Sequence, residues 1–215
     1  MSVTRAAAGE VPSLARLLRA AVAALIVVTI VVTLVTVASQ SPINPFNFFG
    51  FFTIQSNVIL AAVYVLTSAA PRALGPVAAS LMRACATTYI VIVGIVYATL
   101  LAPLGAAGGV PLPWANTVLH VVTPVYGVLD WFVFQDRVGL ALRWLWVVLI
   151  YPLVWLVVVL VRGATDGWVP YPFLDGKEGY ASVVAYCVAI LVAFLAVGSV
   201  VFWGSRVGSR GSRRR

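Results

Sequence analysis

Six apolar stretches divide the chain, at approximately 18–38, 46–68, 84–104, 114–134, 144–162 and 181–203. Each is close to the roughly 20 residues that a helix needs to cross a hydrocarbon core. Turn-rich pieces separate them: Ser39–Pro45, Ala69–Met82, Gly105–Pro113, Gln135–Arg143 and Gly163–Tyr180. The pattern predicts an all-α, polytopic membrane protein, a bundle of six transmembrane helices. Residues 18–204 form that domain, preceded by a cytoplasmic segment over 1–17 and followed by a basic tail over 205–215.

Composition agrees with the pattern. The chain is 62% hydrophobic and 9% charged, whereas a soluble domain carries about 25% charged residues. A net charge of +8 would point to nucleic acid in a soluble protein. Here the placement of the charge reads as topology, and no nucleic-acid partner is expected. With the N-terminus inside, Arg5, Arg16, Arg19, Arg72, Arg83, Arg137, Arg143, Arg206, Arg210, Arg213, Arg214 and Arg215 are all cytoplasmic, and only Arg162 and Lys177 fall outside. Both termini are then cytoplasmic. The basic tail acts as a charge clamp on the last helix or binds anionic headgroups.

The apolar core from Ala20 to Ala38 is longer than a signal-peptide h-region, so the first span is expected to be an uncleaved anchor. One lysine against thirteen arginines hints at a GC-rich genome and a bacterial inner membrane. Cys85 and Cys187 lack metal-ligand spacing and fall at different depths, so both are read as buried apolar residues. Neither a cofactor nor a metal is expected, and the oligomeric state is left open.

The chemistry concentrates in polar residues inside the spans. His120 is the single histidine, and an ionisable group within a span marks a functional site when a partner can be named. The partner is Thr53, in the polar run Thr53-Ile54-Gln55-Ser56-Asn57. Both residues lie about 9–10 Å below the outer boundary at 1.5 Å per residue. Thr53, Ser56 and Asn57 share one helix face, with Gln55 turned from its centre, and Asn116 shares a face with His120. Pro124 frees the His120 carbonyl from its helical bond, which implies a locally opened helix lining a cavity.

Two polar stripes at one depth should face each other. A threonine hydroxyl becomes a nucleophile when imidazole takes its proton. Ser56, Asn57, Asn116 and Gln55 are the candidate oxyanion or substrate contacts. Alternatively, Thr53 bonds to its own helix and His120 merely links helices. No carboxylate is available to orient the imidazole. Asp130, about 15 Å deeper than His120, is expected to pair with Arg83 or Arg137. In the longest outer loop, Trp168 and Tyr171 either lid the cavity or anchor the interface.

The pieces Asn47-Phe-Phe-Gly-Phe-Phe-Thr-Ile-Gln-Ser-Asn57, Trp114-Ala-Asn-Thr-Val-Leu-His120 with Pro124, and Gly167-Trp-Val-Pro-Tyr-Pro-Phe-Leu174 together resemble the bacterial "Pr-six-Pr" membrane proteins. More distantly, the chain is similar to the androgen-induced family, which includes the androgen-dependent TFPI-regulating protein. The resemblance covers the second span to the start of the sixth. It implies a hydrolase of lipid esters, such as fatty acid esters of hydroxy fatty acids, with Thr53 as nucleophile and His120 as base. Membrane lipids would be its partners. The rival expectations are a proton-coupled or small-solute transporter using His120 and Asp130, and a non-catalytic membrane scaffold.

Overall fold

The computed structural model describes residues 11–69, 74–108 and 110–209, all helical or irregular. The first helix, α1, runs Ser13–Gln40. A single turn, α2 (Pro45–Phe48), is capped by Asn44, whose side chain accepts from the Phe46 N–H at 2.9 Å. Then come α3 (Phe52–Ala69) and α4 (Pro76–Val96), which continues into a π-turn at Tyr97–Leu101. The next run is helical from Pro113 to Val133 but changes register twice: α5 (Pro113–Thr117), a π-turn (Val118–Val122) and α6 (Thr123–Val133). Two long helices close the chain, α7 (Val147–Thr165) and α8 (Tyr180–Ser209).

Among the described residues, five helices are long and apolar enough to cross a membrane: Ser13–Gln40, Phe52–Ala69, Pro76–Gly105, Leu142–Thr165 and Tyr180–Val207. The Pro113–Val133 run falls outside that set because its α-helical pieces are short. Side-chain distribution reinforces the membrane character. Val27, Val31, Val154, Val157, Val184 and Val192 are exposed, while Thr29, Thr33, Ser56, Asn57, Thr88 and Thr123 are buried. Water favours the reverse arrangement, and lipid favours this one. The chain is a multi-pass helical membrane protein.

Three expectations need correction. The Ala69–Met82 stretch is not a loop throughout, because α4 already starts at Pro76. Gly75 takes φ 69° ahead of it and Pro76 occupies the first turn, a helix-start arrangement that needs no side-chain cap. The 46–68 span is not one helix either. It breaks at Phe49–Phe51, where the Gln55 carboxamide donates to the Phe49 carbonyl and the Trp155 indole donates to the Gly50 carbonyl, both at 2.8 Å. These two side chains take up carbonyls that the helix break leaves without helical donors. The basic tail is helical through Ser209. Arg5, Arg72, Arg210 and Arg213–Arg215 lie outside the described residues.

Helix α4 is the hub, packed against α3, α6, α7 and α8, and α1 lies across α3 and the Pro113–Val133 run. At one end of the bundle, four buried charges close a ring. Arg19 on α1 contacts Asp130 at 2.6 Å and Asp136 at 2.7 Å, and Arg83 on α4 contacts the same two at 2.9 and 2.8 Å. The expected Asp130–Arg83 pair is therefore present. Arg137 is not its partner; it donates instead to the Phe134 and Gly204 carbonyls and stacks on Trp131.

Segment 134–141 has no helix of its own. Its backbone is held by Ser80 on α4, which accepts from Val138, and by Ser205 on α8, which accepts from Leu140. The start of α1 and the end of α8 meet this same segment.

Two charges of each sign cancel, which is what makes the ring tolerable away from water. Removing one leaves a buried charge uncompensated, at a cost of about 3–5 kcal/mol. Asp130→Ala should therefore lower the unfolding temperature in detergent sharply. Burial alone would raise the Asp136 carboxyl, but the Arg19 hydrogen bond and the charges of Arg83 and Arg19 outweigh it and hold the group below its ordinary 3.8. A depressed carboxyl contributes stability above its unfolded value and loses it as pH falls through the lower folded value. A thermal-melt series should fall away below about pH 4, and Asp136→Asn should flatten that fall.

Candidate active site

At the opposite end of the bundle, Thr53 and His120 meet. Thr53 Oγ1 lies 3.2 Å from His120 Nε2, and both side chains are buried. The break at Phe49–Phe51 makes Thr53 the second residue of α3 rather than a mid-helix position. This changes the depth reckoning of the sequence and also the chemistry. The first-turn N–H groups of a helix lack partners in their own helix and carry the positive end of its dipole. The Thr53 hydroxyl therefore sits where developing negative charge is favoured.

A contrast shows that this threonine is used differently from its neighbours. Thr29, Thr33, Thr67, Thr88 and Thr117 each donate to the carbonyl four residues earlier, at 2.6–3.0 Å. That is the ordinary way for a membrane threonine to satisfy its hydroxyl. Thr53 Oγ1 instead contacts the imidazole and, at 3.4 Å, the Tyr171 hydroxyl.

His120 is oriented on its other side without a carboxylate. Its Nδ1 is 3.1 Å from the Asn116 carbonyl, an acceptor only, so Nδ1 carries the proton and donates. Nε2 is then the bare nitrogen facing Thr53, the tautomer a general base needs. The backbone permits this because Pro124 has no N–H and the helix slips into a π-turn, with the Thr123 N–H reaching the Val118 carbonyl. Single π-turns inside helices recur at functional sites. The second π-turn begins at Tyr97, whose ring stacks on the imidazole at 4.3 Å and 25°. Tyr97 also accepts from the Asn116 carboxamide at 2.6 Å, while Asn116 Oδ1 accepts from the Val110 N–H.

Asn57 joins the two halves. Its Nδ2 donates to the Thr53 carbonyl at 2.9 Å and the Leu119 carbonyl at 3.2 Å, and its Oδ1 accepts from Thr123 at 2.8 Å. Asn57 and Asn116 thus both hold helices together, Asn57 with both of its amide hydrogens and Asn116 with one. Gln55 is likewise occupied, between the Phe49 carbonyl and the Tyr151 hydroxyl. Ser56 is fully buried, and no hydrogen bond ties it to the Thr53–His120 pair.

Tyr171 is the outer-loop residue that enters the site, and its hydroxyl also accepts from the Thr53 N–H at 3.3 Å. Burial raises the Tyr171 phenol above its ordinary value, so it stays a donor. Trp168 stays outside, covering Gly50 and stacking on Arg162 at 4.2 Å. Tyr97 was missed in the sequence because a tyrosine in an apolar run carries no pairing signal.

An apolar cavity of about 420 Å³ lies on the other side of Thr53, between α4, α7 and α8. Thr53 and Tyr171 are on its wall, and His120 is behind them. Among the described residues no group of His, Cys, Asp and Glu is placed to hold a metal ion, and both cysteines are free. The chain matches no protein-family model, no curated protein and no solved structure.

Removing the Asn57 carboxamide would break three buried hydrogen bonds at once, leaving the Thr123 hydroxyl and Leu119 carbonyl only their 3.2 Å contact with each other. An unsatisfied buried polar group costs about 1–3 kcal/mol. Asn57→Ala should therefore lower the melting temperature clearly more than the single-bond removal Thr88→Val, compared by thermal unfolding in the same detergent.

Proposed function

We propose that this protein is an integral membrane lipid-ester hydrolase, with Thr53 as nucleophile and His120 as general base. The observation that carries the reading is the 3.2 Å approach of Thr53 Oγ1 to His120 Nε2, with Nδ1 fixed on the Asn116 carbonyl. The backbone carbonyl takes the orienting role that a carboxylate has in a Ser-His-Asp triad. In the first step the hydroxyl oxygen attacks the ester carbonyl carbon and its proton passes to Nε2. The carbonyl oxygen, now negative, is met by the Tyr171 O–H and the Thr53 N–H at the start of α3. The bond to the leaving alcohol breaks, and that alkoxide takes the proton from the imidazolium, over whose face the Tyr97 ring lies. Water then attacks the acyl-threonine with Nε2 again as base, releasing the carboxylic acid.

The resemblance to the "Pr-six-Pr" and androgen-induced families supports the same assignment, with fatty acid esters of hydroxy fatty acids as the substrate class. In this reading Pro113–Val133 is the fourth of six spans, both termini are cytoplasmic, and the site opens in the outer leaflet of a bacterial inner membrane. The arginine-rich end with the Arg19–Asp130–Arg83–Asp136 ring would face the cytoplasm. The transporter alternative requires Asp130 to exchange protons, yet both of its oxygens are held by arginines.

Purified protein in lipid vesicles should cleave long-chain esters and take up a fluorophosphonate label at Thr53. Thr53→Ala and His120→Ala should each lower kcat by about 10²–10⁴. Tyr171→Phe should cost up to about 10²-fold in kcat with the label retained. If both alanine variants fold and hydrolyse esters like the wild type, the assignment is wrong.

A further inference from the structure

The apolar cavity beside Thr53 has a shape and a position that the catalytic pair does not require. We infer that the seam between α7 and α8 is a binding site for one long acyl chain, reached sideways from the bilayer, with the chain's carboxyl end at Thr53 and Tyr171. This deepens the hydrolase reading, because it assigns the acyl side of the substrate to one place in the fold. The site itself needs no chemistry at Thr53.

Four observations carry it. The wall is made of side chains such as Leu156 and Leu160 from α7 and Val183, Cys187 and Phe194 from α8, with the Thr53 and Tyr171 hydroxyls together on the side of α3. An unbranched hydrocarbon with one polar end matches that distribution, whereas a polar solute would leave its hydrogen bonds unmet along the cavity. The volume of about 420 Å³, at the ~30 Å³ that a water-sized group takes up in a liquid, holds on the order of a dozen methylenes.

The cavity follows α7 from Pro152 to Ala164, about 18 Å along the helix axis at 1.5 Å per residue. That suits an extended chain lying along the helices. Finally, α7 and α8 are among the least enclosed helices of the bundle, and Val154, Val157, Val184 and Val188 on them are exposed. In a bilayer those faces touch lipid, so the seam between them is continuous with the acyl layer.

The test uses the full chain in phosphatidylcholine vesicles and a palmitic acid analogue carrying a mid-chain diazirine. Photolysis and peptide mass mapping should find label on cavity residues such as Leu156, Cys187 and Phe194, displaced by excess palmitate. The lipid-facing Val157 should label only in proportion to bulk probe, with no competition. Leu156→Trp, which fills the cavity, should reduce the competed labelling by about tenfold or more, a loss of about 1.4 kcal/mol in binding. Leu160→Trp serves as a second plug if the first variant does not fold.

Competed labelling in a protein without esterase activity supports the acyl site and removes the hydrolase. Esterase activity without competed labelling removes the acyl site and leaves the catalytic pair. Label spread evenly over Val154, Val157 and Leu156, or unchanged by either plug, overturns the inference.

Discussion

The carboxamide of Asn57 fixes where the helix bearing Thr53 meets the helix bearing His120. It spends both donor hydrogens and its acceptor on three different backbone and side-chain groups. Between transmembrane helices a single hydrogen bond averages only about 0.6 kcal/mol, so one bond would hold the register weakly. Two bonds on one carboxamide cross between the helices, to the Leu119 carbonyl and from the Thr123 hydroxyl, and a third ties the same group to the Thr53 carbonyl of its own helix. The 3.2 Å approach of hydroxyl to imidazole follows from that anchorage.

The other end of the bundle has the complementary constraint. Arg19, Arg83, Asp130 and Asp136 tie α1, α4, α6 and segment 134–141 into one closed ring. Such a ring contributes little net stability over an apolar core of equal volume, because desolvating four charges offsets their attraction. Its effect is on uniqueness. Any slip of α1 along α4 would strand an ion in the interior, so only one alignment is tolerated. With that end fixed and Asn57 fixing the other, α1, α3, α4 and α6 form a rigid half of the molecule.

The sequence read well where single positions determine the outcome and poorly where distant pairs do. Apolar runs located the long helices, and the polar run at Thr53 and the lone histidine marked the two residues that meet, although the count from Phe46 assumed a continuous helix that breaks before Thr53. The break before Thr53 was not legible, since Phe48-Phe-Gly-Phe-Phe52 is as apolar as a helix interior. The break is supported by Trp155, a hundred residues away. The carboxylate sought for His120 was likewise the wrong group to look for, as the backbone of Asn116 supplies the acceptor and every residue has a carbonyl. Arg19 counted as a topological charge, and nothing near it in sequence announces a partner 111 positions on. Asn57 is buried and Asn116 half-buried, and in the structure both bridge helices through their carboxamides.

The cavity beside Thr53 is walled by the two long helices that are among the least enclosed in the bundle. Pro152 lies inside α7 and on the cavity wall, where it removes one helical hydrogen bond and leaves the Val148 carbonyl without its donor. Helix α7 is tied to the α3 side by Tyr151 to Gln55, Trp155 to Gly50 and Arg162 to Asn47, while its contact with α8 runs along the apolar cavity wall. The loop carrying Tyr171 joins these same two helices. The segment that joins the two cavity helices thus also carries the hydroxyl that touches Thr53 Oγ1, so the cavity and the Thr53–His120 pair share one boundary.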